Sequence, residues 1–156
     1  MNVWEQYKKA VVLKMDVSTK EITKIIEYLS PADVYADKNA SISFTAGTLI
    51  DICLYVGTRT EVLIFDCLSR KMIDYVSLPL FNDVHQVTLR KNGNLLVANT
   101  GLDLVAELDR KGQVVNLWDV MGDDLWNRFS PDIDYRKIAN TNPHMSHPNF
   151  VFERNG

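Results

Sequence analysis

Three histidines, His85, His144 and His147, are all the imidazoles in this 156-residue chain, and each lies just ahead of a strand-like segment. His85 precedes Val87, and the other two precede Phe150. Asp83 and Asn149 share that level, and Tyr35 stands at the position equivalent to His85. Imidazoles beside a carboxylate support three chemistries. His85, His144, His147 and Asp83 could hold a divalent metal such as zinc, which takes nitrogen and oxygen ligands. His85 and His147 could act as general acid and base, since imidazole titrates near neutral pH. A histidine could also be the nucleophile that carries a transferable group. The plainer alternative is that the rings only hydrogen-bond the turns before the strands. The spacing of His144 and His147 is short and falls in an expected loop, so it selects none of these chemistries.

The elements that would position these residues are repeated strands. Ile50 to Val56 alternates apolar and polar, Gly57-Thr58-Arg59-Thr60 follows, and then come Glu61 to Asp66, a polar turn and Met72 to Val76. That order reads as strand, hairpin, strand, hairpin, strand. It recurs as Asn94 to Asn99, Leu104 to Asp109 and Val114 to Trp118, with Phe65-Asp66 matching Leu108-Asp109 at a spacing of 43. A copy cut off at its start covers Val11 to Asp16 and Ile22 to Ile26, and Met15-Asp16 matches Phe65-Asp66 at a spacing of 50. A copy cut off at its end covers Phe150 to Gly156 and matches Val87 to Gly93 at a spacing of 63, both closing on Asn-Gly. Asn-Gly is a strong hairpin signal when both turn residues take positive φ.

Short antiparallel strands repeating every ~40–50 residues predict an all-β fold, about three blades or half of a six-bladed β-propeller. The expected divisions are a partial blade over 1–30, blades over 41–79 and 85–118, an inserted loop or lid over 119–146, and the first strand of a next blade over 147–156. A β-sandwich with accidental similarity is the competing fold. Incomplete blades at both termini leave open strand edges, so a homodimer closing one ring by exchange of terminal strands is expected. The competing expectation is a piece of a longer reading frame.

The insertion has further candidates. Gly122 to Phe129 could form a short helix ended by Ser130-Pro131. Trp126 could line a lid over the channel axis, and Arg128 and Arg136 could bind an anionic substrate. The other reading is a loop packed on a neighbouring blade or subunit through Trp126 and Phe129. Asn99 either points into the channel or ends its strand as turn chemistry.

Composition bounds the rest. Hydrophobic residues make up 46% and charged residues 24%, which suits a globular domain. A net charge of −3 argues against nucleic acid as a partner. No apolar run approaches the roughly 18 residues of a membrane span, and the N-terminus lacks the order of a signal peptide. A cytoplasmic protein is expected, with Cys53 and Cys67 as buried thiols.

Asp83 to His85, Asn92 to Asn99, Val105 to Asp109 and Gly112 to Val115 resemble blades of arylsulfotransferase-like and regucalcin-like (gluconolactonase) propellers. His147-Pro148-Asn149-Phe150-Val151 is similar to the His-x-Asn-Ser-Val element of arylsulfotransferases, with Phe150 in place of the small serine. The resemblance implies that His147 contacts or carries a sulfuryl group, and more distantly that His85 does. A calcium set of the regucalcin type has no matching residues. Ser146 to Phe152 also resembles an element of bacterial six-bladed propellers, which implies fold and no reaction. The expected function is therefore a hydrolase or group-transfer enzyme acting on a small polar substrate at a histidine-lined channel face. The other class is a noncatalytic propeller module that binds a small ligand or a protein.

Overall fold

Each repeated unit of the sequence folds as an antiparallel meander. The computed structural model describes residues 6–154. Its strands are β1 Ala10–Met15, β2 Ile22–Tyr28, β3 Gly47–Ile50, β4 Cys53–Gly57, β5 Val62–Asp66, β6 Lys71–Val76, β7 Val84–Leu89, β8 Leu95–Asn99, β9 Leu104–Leu108 and β10 Val114–Asp119. They form three antiparallel sheets, β1-β2, β3-β4-β5-β6 and β7-β8-β9-β10. Helical structure among the described residues is limited to three-residue 3-10 turns, and no helix is long and apolar enough to cross a membrane.

The sheets stack face to face. The central strand β5 is apolar along its length because both of its faces are covered. Val62 and Ile64 share one core with Val87, Val97, Leu104, Ala106 and Leu108 of the third sheet, while Leu63 and Phe65 share a second core with Ile26 of the first. Fully burying one such side chain stabilises the fold by about 1.5–3 kcal/mol. The first strands of the two four-stranded sheets touch side by side. The Ala46 N–H donates to His85 O at 3.0 Å, and the Thr48 hydroxyl donates to Val87 O at 2.7 Å. Consecutive meanders with their first strands adjacent are how propeller blades are arranged.

A latch joins the first sheet to the second. The Glu61 carboxylate is fully buried and accepts from the hydroxyls of Tyr28, Tyr75, Ser30 and Thr58. Burial and this anion push the Tyr75 phenol up to about 12, and Tyr28 is raised further.

Several expectations change. Ile50 to Val56 is not one strand. Asp51 takes φ 53° and folds the run into a hairpin in which Ile50 faces Cys53, leaving Ile52 exposed on the turn. At Asn92-Gly93 only Gly93 is left-handed, at φ 86°. Asn92 instead accepts the Asn94 N–H at 2.9 Å, while Gly93 N–H donates to Arg90 O. Residues 147–154 form no strand, and the Asn155-Gly156 turn lies outside the described residues. This segment is held by separate hydrogen bonds and not by a strand ladder: Val151 N–H donates to Gln86 Oε1 at 2.7 Å, and Glu153 accepts from the Arg90 guanidinium and the Lys91 N–H.

The 119–146 insertion packs against the sheets through two short turns. The helix expected over Gly122 to Phe129 is a single 3-10 turn, Leu125–Asn127, and a second covers Tyr135–Lys137. Leu125 and Tyr135 are buried in the larger core, with Phe129 packed edge-on to Tyr135. Asn82 clamps the loop by donating to the carbonyls of Tyr135 and Ile138 at 2.8 and 2.7 Å. The packing runs through Leu125, Phe129 and Tyr135, not through Trp126, which remains 38% exposed.

Candidate site at the inner strand ends

His85 is the extra residue of a β-bulge. Val84 pairs with Asn99 and Gln86 with Ala98, so His85 has no cross-strand partner in its own sheet. Bulges aim one side chain away from the regular alternation. Its carbonyl accepts from Ala46 of the neighbouring sheet, which fixes the backbone at the inner end of both sheets. The ring has an oxygen at each nitrogen: Nδ1 lies 2.5 Å from Asn149 Oδ1, and Nε2 lies 3.5 Å from Asp83 Oδ2. Asp83 also pairs with Arg59 at 3.4 Å, and Arg59 donates to Ala139 O.

The other two histidines arrive on the loop that ends the insertion. That loop is pinned by Asp103, whose side chain is fully buried. Asp103 Oδ1 accepts from Ser146 N–H, the Ser146 hydroxyl and His147 N–H, each at 3.0 Å. Oδ2 accepts from Met145 N–H and the Arg128 guanidinium, each at 2.7 Å. Burial pushes the Asp103 pKa up, but these donors outweigh it and hold the carboxyl well below the usual carboxylate range. Under this grip His147 adopts φ 55°, a left-handed conformation that costs a residue with a Cβ about 1–3 kcal/mol.

The three rings meet. His85 and His147 stand edge to face with centroids 5.0 Å apart, and His144 and His147 stack at 5.1 Å. His144 Nδ1 lies 2.9 Å from His147 Nδ1, and His144 Nε2 lies 3.4 Å from Thr141 Oγ1. Beside them opens a cavity of about 270 Å³ lined by Thr45, Ala46, His85, Asn149 and Phe150. The cavity wall itself offers the His85 ring, the Asn149 amide and the Phe150 ring, while His147 is in ring contact with His85 without lining the cavity.

His85, His144, His147, Asp83 and Asn149 are thus brought together. They are not arranged as a metal centre: among the described residues no group of three His, Cys, Asp or Glu side chains is placed to hold a metal ion. Arg128 and Arg136, expected to bind substrate, are engaged in structural pairs. Arg128 serves Asp103 and Pro143 O, and Arg136 pairs with Asp134 and reaches Ser77. Trp126 is absent from the cavity wall. Asn99 is fully buried at the end of β8, where it accepts the Asn82 N–H and donates to Leu80 O, so it acts in the turn and not in a channel. Sequence reasoning missed Arg59, Asp103 and Thr141. The only signal at Asp103 was an acidic residue two positions after Gly101, which also describes any turn. No protein-family model matches this chain, and no curated protein does either.

Proposed function

We propose that this protein is an enzyme performing acid–base chemistry, hydrolysis or group transfer, on a small polar substrate held in the cavity beside His85. The observation that carries this reading is the contact of His85, His144 and His147, delivered by a bulge and a pinned loop about sixty residues apart. His85 and His147 are the acid–base pair, and Asn149 and Asp83 orient His85. The likeness to arylsulfotransferase-like and lactonase-type propellers guides the choice of substrates. The test is a panel of chromogenic aryl sulfates, phosphate monoesters, carboxylic esters and lactones. His85→Gln should lower turnover of the accepted substrate by about 100-fold or more while the circular dichroism spectrum is unchanged. Equal turnover in the variant would overturn the reading.

A noncatalytic ligand-binding module is the second reading, favoured by Phe150, which lines the same cavity and is 72% exposed. Ligand binding that depends on Phe150 and is indifferent to His85 would select it. We also propose that the stack of sheets continues into a second copy, giving a homodimeric six-bladed ring. Support comes from the apolar side chains Val11, Leu13, Met15 and Ile22, all exposed on the two-stranded sheet. Light scattering should then give twice 17.8 kDa; a monomer would overturn it. The cytoplasmic setting belongs to this reading too, in keeping with the free thiols of Cys53 and Cys67.

A further inference from the structure

The hydrogen-bond chain behind His147 fixes where its proton resides. Thr141 has one hydroxyl hydrogen and three neighbours: Gly101 O at 2.5 Å, Asn82 Oδ1 at 3.4 Å and His144 Nε2 at 3.4 Å. The short bond to Gly101 O takes the hydrogen. Gly101 is buried, and the reverse orientation would leave its carbonyl unpaired, which is the costlier state. Thr141 Oγ1 therefore offers His144 a lone pair, and His144 Nε2 must carry a hydrogen to meet it. A neutral His144 ring protonated on Nε2 has a bare Nδ1. That bare nitrogen faces His147 Nδ1 at 2.9 Å, so the hydrogen between the two rings belongs to His147. A neutral His147 ring protonated on Nδ1 has a bare Nε2, and among the described residues that nitrogen has no hydrogen-bond partner.

We infer that Thr141 and His144 are positioning residues that hold His147 in the Nδ1–H tautomer, making His147 Nε2 the proton acceptor of the site. The inference rests on the acid–base reading above and sharpens it. His147 is the base and His85, with oxygens at both nitrogens, is the acid. In the step itself, Nε2 takes the proton of a water or a substrate hydroxyl, and the O–H electron pair forms a bond to the electrophilic carbon, sulfur or phosphorus of the substrate. The bond to the leaving oxygen breaks with its electron pair, which takes a proton from His85, and the His147 ring becomes an imidazolium whose Nδ1–H still points at His144. The His147 N–H bond to Asp103 fixes the backbone from which its ring stacks on His144.

The test reads tautomers directly and needs no substrate. The full chain, labelled with nitrogen-15 in its imidazoles, is examined by long-range proton–nitrogen correlation at about pH 8.5, above the ordinary imidazole range. The expected spectrum shows His144 protonated on Nε2 and His147 protonated on Nδ1. Thr141→Val keeps the shape and removes the lone pair, so it should shift the His147 hydrogen toward Nε2, and Thr141→Ser should restore the wild-type pattern. A wild-type His147 protonated on Nε2 overturns the inference, as does a Thr141→Val spectrum identical to the wild type. Should Thr141→Val fail to fold, the wild-type spectrum and the serine variant still decide. If the tautomers are as expected but no substrate turns over, the relay stands and the enzymatic reading falls.

Discussion

Replacing Asp103 by Asn tests whether one buried carboxylate organises the histidine loop. Asparagine tolerates the left-handed backbone that Asp103 adopts at φ 52°, so the substitution adds no conformational strain. It keeps one acceptor oxygen, which goes best to the side where three donors converge, Ser146 N–H, the Ser146 hydroxyl and His147 N–H. The amide NH2 then faces Met145 N–H and Arg128. Leaving the Met145 N–H unpaired costs about 1–3 kcal/mol. Arg128 is about one-third exposed, so water recovers part of its loss and a further ~1 kcal/mol is expected there. The total is about 2–4 kcal/mol, or a melting temperature lower by roughly 5–15 °C in a domain of this size. The assay is urea unfolding of both proteins at neutral and acid pH. Because the folded-state pKa of Asp103 is depressed, its contribution is present above the ordinary aspartate value of about 3.9 and is lost as pH falls through and below it. The gap between the proteins should be full at neutral pH and shrink toward pH ~2. A gap under about 1 kcal/mol at neutral pH, or one unchanged by acid, would refute the reasoning.

Two further substitutions probe the supports of the site. At Gly101 an added Cβ would sit 2.3 Å from Asn82 Oδ1 and 2.5 Å from Asn82 O, a backbone atom that cannot swing away, so Gly101→Ala should cost at least about 2 kcal/mol in thermal unfolding. Stability within 0.5 kcal/mol of the wild type, on the order of an ordinary surface change, would mean the close approach is not real. In the latch, Glu61→Gln should bring the Tyr75 phenol down from about 12 toward the ordinary value of about 10, as followed by phenolate absorbance. An unmoved titration would mean that burial alone sets it.

The repeat was legible because strand alternation and turn residues are local properties. The convergence of His85 with His144 and His147 was legible too, through the likeness of Phe150 to Gly156 to the strand that follows His85, although residues 147–154 form no strand themselves. What failed is instructive in physical terms. Asp51 breaks an otherwise regular strand pattern through its backbone conformation, and nothing in the alternation marks that. Residues 147–154 carry a strand's pattern, yet a pattern becomes a strand only where it pairs backbone to backbone; here the bonds run through the side chains of Gln86, Arg90 and Glu153. Arg128 and Arg136 looked like anion binders because the sequence does not show that Asp103 and Asp134 already engage them. The insertion's buried anchors, Leu125 and Tyr135, lie ten residues apart with no periodicity, so only the folded chain shows that they face the same core.

The Glu61 latch has a consequence for how the molecule comes apart. The first sheet has two strands, and its core is the smaller of the two clusters, so its grip on the second sheet depends heavily on hydroxyls gathered around one anion. In the single chain, before any second copy covers it, residues 10–28 therefore form the segment whose amides should exchange earliest, as a detachable leaf. The histidines are built from the opposite end, on the third sheet and the loop clasped to it. Peeling that leaf would leave the imidazole cluster standing, so the chain's least durable joint and its chemistry lie at opposite ends of the stack.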